Sequence, residues 1–258
     1  MKFKFFKTNL SLNNKSILIT GGTGSFGQFF VKKVLNVYRP KRLIIFSRDE
    51  HKQNEMAKKL NGKSKCLRFF IGDVRDRERL IMAARGVDYI VHAAALKHVP
   101  TAEYNPFEFV NTNILGVFNL INHSMEYWKK IKKKNFKFMQ VSTDEVYGSV
   151  VKGSSIESSN LSPNSPYAAT KTSADHLIFS YYKTYNFPAV IARSSNNYGP
   201  YQFPEKLIPL IILNALENKK LPVYGNGKHE RNWLHVKDNV DALKKILFKG
   251  KKGNIYNV

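Results

Sequence analysis

Short runs of β-branched and aromatic residues alternate with longer amphipathic stretches along the first three quarters of the chain, and this alternation constrains the fold more than any other feature. Extended runs are expected at 16–20, 43–47, 66–71, 89–92, 136–142 and 189–193, with helical periodicity at 26–37, 50–60, 77–84, 108–128 and 167–185. Several runs, such as Leu43-Ile44-Ile45-Phe46, are apolar at successive positions. Successive side chains on a strand point to opposite faces, so these strands must be covered on both sides, as in a parallel sheet between two helix layers. The pattern predicts an α/β fold with a doubly wound parallel sheet.

The first extended run leads into Gly21-Gly22-Thr23-Gly24-Ser25-Phe26-Gly27 and then a helical pattern. Glycine serves where a turn takes positive φ, where backbone must approach a pyrophosphate, and where helix and strand meet closely. A helix N-terminus then offers free N–H groups and the positive end of its dipole to phosphate. In this strand–loop–helix setting the motif predicts a Rossmann dinucleotide site, with Gly21, Gly24, Ser25, Phe26 and Gly27 around the phosphates. An NAD site places an acid at the end of the second strand to hold the ribose 2′-hydroxyl. Here that place reads Ser47-Arg48, which suits the 2′-phosphate of NADP, although the adjoining Asp49 could reach a ribose and so admit NAD. Asp73 and Val74 follow the third strand, with Asp73 read either as a partner for the adenine amino group or as an N-cap. Ala93 and Ala95 after the fourth would let backbone pass close to the cofactor.

Residues 1–195 are read as the NAD(P)-binding domain and 196–258 as a smaller substrate lobe, because the texture after Arg193 turns to Asn, Gly, Pro and Tyr. The closing Asn254-Ile255-Tyr256-Asn257-Val258 reads as the inside of a strand, so the lobe is expected to be incomplete and truncated. With 258 residues, 43% of them apolar, the chain is long enough to bury a core. The single cysteine, Cys66, removes any disulfide framework. Of the seven histidines, His92, His98, His123, His176, His229 and His235 show no ligand spacing, so no metal is expected. No apolar run has the length of a membrane span, since 207–216 is broken by Pro209 and Asn214, and no signal-peptide block opens the chain. A cytoplasmic location is expected. The formal charge of +23 comes from 42 basic and 19 acidic residues, scattered except for a dense basic run at 129–134. No nucleic-acid motif accompanies it, but a basic surface attracts a polyanion such as a nucleotide diphosphate.

The fifth extended run ends in Ser142-Thr143-Asp144-Glu145-Val146-Tyr147-Gly148, and Tyr167-Ala168-Ala169-Thr170-Lys171 lies in the next helical stretch. Tyr167 and Lys171, at i and i+4, share one helix face, so the ammonium is expected to lower the phenol pKa and hold a ribose hydroxyl. A phenolate beside a nicotinamide removes an alcohol proton while hydride leaves the same carbon.

These motifs resemble the extended short-chain dehydrogenase/reductase family over nearly the whole chain. Within it, Ser142 to Gly148, Ser165-Pro166-Tyr167-Ala168-Ala169-Thr170-Lys171, the run from Arg193 to Leu207, and Leu221-Pro222-Val223-Tyr224-Gly225 resemble the dTDP-glucose 4,6-dehydratases. Phe46-Ser47-Arg48-Asp49-Glu50, Gly72-Asp73-Val74-Arg75-Asp76 and Ala93-Ala94-Ala95-Leu96-Lys97-His98 resemble instead the UDP-N-acetylglucosamine 4,6-dehydratases, which use NADP. The resemblance implies that Tyr167 takes the O4 proton and that Glu145 takes the C5 proton while Asp144 protonates the departing C6 hydroxyl. It implies that Thr143 orients the substrate and Lys171 the nicotinamide ribose. Asn196, Lys206, Leu207 and Arg231 would bind the nucleotide-diphosphate sugar, Pro222 and Tyr224 would border the base, and a homodimer would form through helices at 108–128 and 167–185. Arg231-Asn232-Trp233 departs from the pattern, which has Asp at the middle position. Epimerisation without water loss, or a non-catalytic dinucleotide-binding module, are the rival readings; the acid pair Asp144–Glu145 favours dehydration.

Overall fold

Seven parallel strands in the order β3-β2-β1-β4-β5-β6-β9 form the main sheet of the computed structural model, which describes residues 11–60, 65–131 and 135–258. The first ten residues, and Lys132 to Lys134 of the basic run, lie outside the described residues. In chain order the elements are β1 (Ser16–Thr20), α1 (Ser25–Val37), β2 (Arg42–Ser47), α2 (Glu50–Leu60), β3 (Leu67–Ile71), α3 (Arg77–Ala84) and β4 (Tyr89–His92). There follow α4 (Val99–Tyr104), α5 (Pro106–Val110), α6 (Gly116–Ile131), β5 (Lys137–Thr143), α7 (Pro166–Tyr185) and β6 (Ala189–Ser194). The chain continues with β7 (Asn196–Tyr198), α8 (Leu207–Leu216), β8 (Trp233–His235), α9 (Val236–Lys249) and β9 (Ile255–Asn257). The strand order turns back between β1 and β4. Ligands of open α/β sheets bind at such a switch point, beyond the carboxyl ends of the strands.

The doubly apolar runs do what their pattern requires. Leu18, Ile44, Phe46, Ile90 and Phe138 face one core with Leu80, Val117, Leu120, Ala174 and Ile178 of α3, α6 and α7. Their neighbours Ile17, Ile19, Leu43, Ile45, Val91 and Met139 face the other with Phe30, Val34, Met56, Val240 and Leu243 of α1, α2 and α9. Each buried Leu, Ile or Phe side chain contributes roughly 1.5–3 kcal/mol. The two cores fix β1, β4 and β5 between helix layers, and so fix where their carboxyl ends point.

Two expectations differ from the structure. The helix expected at 108–128 is interrupted: α5 passes through a π-helical turn, Asn111–Leu115, before α6 begins. Within this turn Asn113 faces inward. It is 1% exposed, not on a solvent-facing helix surface, and its side chain bonds both Leu96 N–H and Leu96 C=O at 2.9 Å and Thr170 Oγ1 at 3.0 Å. The boundary at 195 also does not follow the sheet. β7 and β8 form a small separate two-stranded sheet, but α9 packs on α1 and β6, and β9 pairs with β6 (Ile191 opposite Ile255). Amphipathic α9 carries Val240, Leu243 and Leu247 on one face, and burying that face returns the chain to the sheet.

Candidate active site

The loop between β1 and α1 is built for close approach. Gly21 takes φ 69°, and a Cβ there would stand 2.9 Å from the Ala93 carbonyl, so this glycine lets the loop lie against the backbone after β4. A Cβ on Gly27 would stand 2.5 Å from Gly22 Cα, so α1 can begin tight against the loop only with glycine there. Gly24 is the N-cap of α1, makes no side-chain cap, and no acid occupies the first turn. The helix N-terminus thus presents uncapped N–H groups and its positive dipole end, which fits an anion such as a pyrophosphate. Beside it, Thr23 Oγ1 bonds Ser47 Oγ at 2.8 Å. Arg48 Nη1 lies 3.4 Å from Asp73 Oδ2, while Asp49 caps α2 by accepting Lys52 N–H at 2.9 Å. Asp73 is not the cap of α3, a role taken by Asp76. Its carboxylate is instead held by Arg75 at 2.8 Å, and its pKa is lowered: burial opposes this, but bonds from Arg75 and the charges of Arg75 and Arg48 outweigh it.

On the other side of the switch point, Thr143 ends β5 and caps the short 3₁₀ turn Asp144–Tyr147 by accepting Glu145 N–H at 3.3 Å. The same hydroxyl lies 3.3 Å from Asp144 Oδ1. α7 starts where it does because Ser165 caps Ala168 N–H at 3.1 Å and Pro166 follows, which puts Tyr167 in the first turn. Lys171, one turn on, is 4% exposed and donates to the Val141 carbonyl of β5 at 2.9 Å. Burial raises the pKa of both Asp144 and Glu145, and Asp144 raises Glu145 further. The cations facing them differ. Arg231 lowers both, whereas Lys206 and Lys97 act on Glu145. The phenol does not behave as the spacing predicts: its pKa is raised, first by burial and then by Glu145 and Asp144, against the lowering effect of the Thr143 bond. The Lys171 ammonium is held by the Val141 carbonyl, so the phenol in this state keeps its proton.

Residues 18–258 match the family model described as GDP-mannose 4,6 dehydratase. The chain belongs to this family. A dTDP-glucose 4,6-dehydratase of Escherichia coli is 38% identical over 257 residues, spanning 94% of this chain and 71% of that protein. A solved dTDP-glucose 4,6-dehydratase from Streptomyces venezuelae with NAD bound is 37% identical with TM-score 0.84, covering 94% of this chain and 75% of that one. The Bacillus anthracis dTDP-glucose 4,6-dehydratase in complex with NAD is 40% identical with TM-score 0.81, over 96% and 75%.

The structure brings most of the residues singled out above to one end of the sheet. Gly21, Gly24, Ser25, Phe26, Gly27, Ser47, Arg48, Asp73, Ala93 and Ala95 all follow the carboxyl ends of β1 to β4. Val74 is there too, but its side chain is 5% exposed and packs in the core against Gly116, so only its backbone could meet a ligand. Asn196 opens β7 opposite Trp233, Lys206 occupies the N-cap position of α8 without a side-chain cap bond, and Leu207 begins the helix. Pro222 and Tyr224 stay on a surface loop, with Tyr224 55% exposed. Lys97 was missed. It lies in a motif quoted for its alanines, yet it is one of three cations acting on Glu145. Among the described residues no helix is long and apolar enough to cross a membrane, and no group of three His, Cys, Asp or Glu could hold a metal ion.

Proposed function

We propose that the chain is an NAD(P)-dependent hydro-lyase that converts dTDP-glucose to the 4-keto-6-deoxy sugar. The observation that carries this reading is the acid pair Asp144–Glu145, half-buried beside Tyr167 and raised in pKa, because exchange of configuration at C4 alone needs no second acid. The nicotinamide supplies the hydride acceptor and later the hydride donor. Tyr167 takes the O4 proton once its phenol is ionised, and Thr143 holds the reacting hydroxyl. That ionisation is favoured by the positive charge of a bound oxidised nicotinamide, against the burial and carboxylates that keep the phenol protonated in the chain alone. Lys206 and Lys97 favour the anion at Glu145, which removes the C5 proton made acidic by the new C4 ketone. Asp144, raised in pKa by burial, gives its proton to the C6 hydroxyl as water leaves. Arg231, whose charge reaches both acids, takes the sugar diphosphate with Asn196 and Lys206. Lys171 holds the nicotinamide ribose.

The finer reading is that NADP is preferred to NAD. Asp49 is engaged as a helix cap, so the polar groups left at the end of β2 are a hydroxyl and a guanidinium, which suit a 2′-phosphate. Arg48 is half-exposed and so able to turn to it. The same family reading carries a cytoplasmic enzyme and a homodimer. Phe107, Val110, Leu115 and Phe118 on the α5–α6 stretch and Phe179 on α7 are exposed apolar side chains on the elements the resemblance assigns to pairing. Incubation with dTDP-glucose and, separately, UDP-N-acetylglucosamine tests the reaction by mass spectrometry. Loss of one water from the first is expected; turnover of neither, with cofactor bound, refutes it. Comparison of NAD and NADP dissociation constants decides the cofactor.

A further inference from the structure

Beneath the four reacting groups lies a buried ionic layer that the steps above do not use. Asp175 stands one helical turn beyond Lys171 on the same face of α7 and is 2% exposed. Its Oδ2 accepts from Arg193 Nε of β6 at 3.0 Å, and Arg193 is 3% exposed. Arg193 Nη1 donates to the Tyr147 hydroxyl at 2.9 Å, and its guanidinium lies 4.9 Å over that ring. The Tyr147 hydroxyl in turn donates to Asn257 Oδ1 of β9 at 2.7 Å. Tyr147 closes the turn that carries Asp144 and Glu145. We infer that Asp175 is a positioning residue: clamped by Arg193, it is the buried anion that keeps the Lys171 ammonium charged at the end of β5, while the same clamp anchors the acid-bearing turn.

Among the described residues Lys171 has no charged hydrogen-bond partner. Its bond is to a carbonyl, and burial favours the neutral amine, bringing the pKa down to about 8; the charge of Asp175 is what opposes this. The other groups around it cannot do so. Tyr167 on the same helix keeps its proton, and His92 on β4 is buried, bonded to Thr20 at 2.6 Å, and neutral. Asp144 and Glu145 on the turn act on Tyr167, and the Arg193 charge on β6 is spent on Asp175. Burial raises the Asp175 pKa above the ordinary carboxylate value, and the Arg193 charge, then that of Lys171, is what opposes this and favours the anion.

The inference rests on the reading of Lys171 as the cation of the redox site, but its titration can be followed without turnover. The experiment is an NMR pH titration of 13Cε-lysine-labelled protein, with Lys171→Met used to assign the resonance, alongside the pH dependence of kcat. Asp175→Asn is expected to lower the Lys171 midpoint by about one unit or more and to move the alkaline limb of kcat down with it, because the reacting form carries the ammonium. Should Asp175→Asn fail to fold with Arg193 left unpaired, Asp175→Asn/Arg193→Met removes both charges, and neutral replacement of a buried pair is commonly tolerated. It should show the same lowered midpoint. An unchanged midpoint in the variant that folds overturns the inference. So does activity lost at all pH values with the alkaline limb in place, which marks a structural role. A lowered midpoint in a protein whose parent eliminates no water leaves the inference standing and removes the functional reading.

Discussion

Replacing Asn113 with alanine tests how the two halves of the site are joined. The side chain is 1% exposed and makes three hydrogen bonds, two to the Leu96 backbone and one to Thr170 of α7. Thr170 keeps its own bond to the Tyr167 carbonyl at 2.8 Å, so its hydroxyl is not orphaned by the change. Leu96 N–H and C=O are, and each unpaired group costs about 1–3 kcal/mol, with half-buried Leu96 open enough to regain part from water. The expected loss is about 2–4 kcal/mol. At roughly 2–4 °C per kcal/mol for a chain of this size, the melting temperature should fall by about 4–16 °C. The loop that carries Ala93 and Ala95 hangs on these bonds, so NAD affinity should fall as well. Asn113→Asp sharpens the test: it preserves the acceptor for Leu96 N–H but turns a carboxylate oxygen toward the Leu96 carbonyl, and should lose at least as much at neutral pH. Calorimetry and NAD titration read both effects. A melting temperature within about 2 °C of the parent, with cofactor binding intact, would refute the argument, since a cost of that size could not then have been present.

Two more outcomes follow from the site. In Gly27→Ala the new methyl would meet the backbone of Gly22 and Gly21 at 2.5–2.6 Å, where nothing flexible can yield, so the loop must shift. NAD affinity should drop by at least about tenfold, a loss of 1.4 kcal/mol or more, by fluorescence titration; unchanged affinity would mean the loop does not bind the dinucleotide. Asp144→Asn/Glu145→Gln should stop elimination while leaving NAD affinity nearly unchanged. It should also melt above the parent at pH 7.5. Both folded-state pKa values lie above the ordinary 3.8 and 4.5, so the stability these acids contribute is full below those values and is lost as pH rises through the raised ones. The variant's advantage should therefore shrink as the pH falls to 4. A constant gap from pH 7.5 to 4 contradicts the raised values.

The sheet was legible because its signal is local. The runs at 16–20 and 89–92 coincide with β1 and β4, and the run at 43–47 differs from β2 by one residue, since strands apolar at consecutive positions have one way to be buried. The glycine loop and the Tyr167–Lys171 spacing were legible for the same reason: each motif is a few residues long and carries its own geometry. What stayed hidden depends on partners far along the chain. Nothing near Asn113 announces that its amide would meet Leu96, and a continuous helical period over 108–128 hides the π-helical turn that allows it. The return of α9 and β9 to the sheet was masked by the Gly- and Pro-rich texture before them, although the amphipathic stripe of 236–249 was there to be read.

Electrostatics shows the same division most sharply. An i, i+4 Tyr–Lys pair reads as mutual activation, yet in the fold the lysine turns to the Val141 carbonyl and the phenol feels two carboxylates more strongly. The pairing of Asp175 with Arg193 rests on where α7 crosses β6, and the differing cation sets around Asp144 and Glu145 rest on where Lys97 and Lys206 fall in space. Spacing along the chain thus selects which groups meet at the end of the sheet. Their protonation states, on which the assignment of acid and base turns, are set by neighbours that only the folded chain brings together.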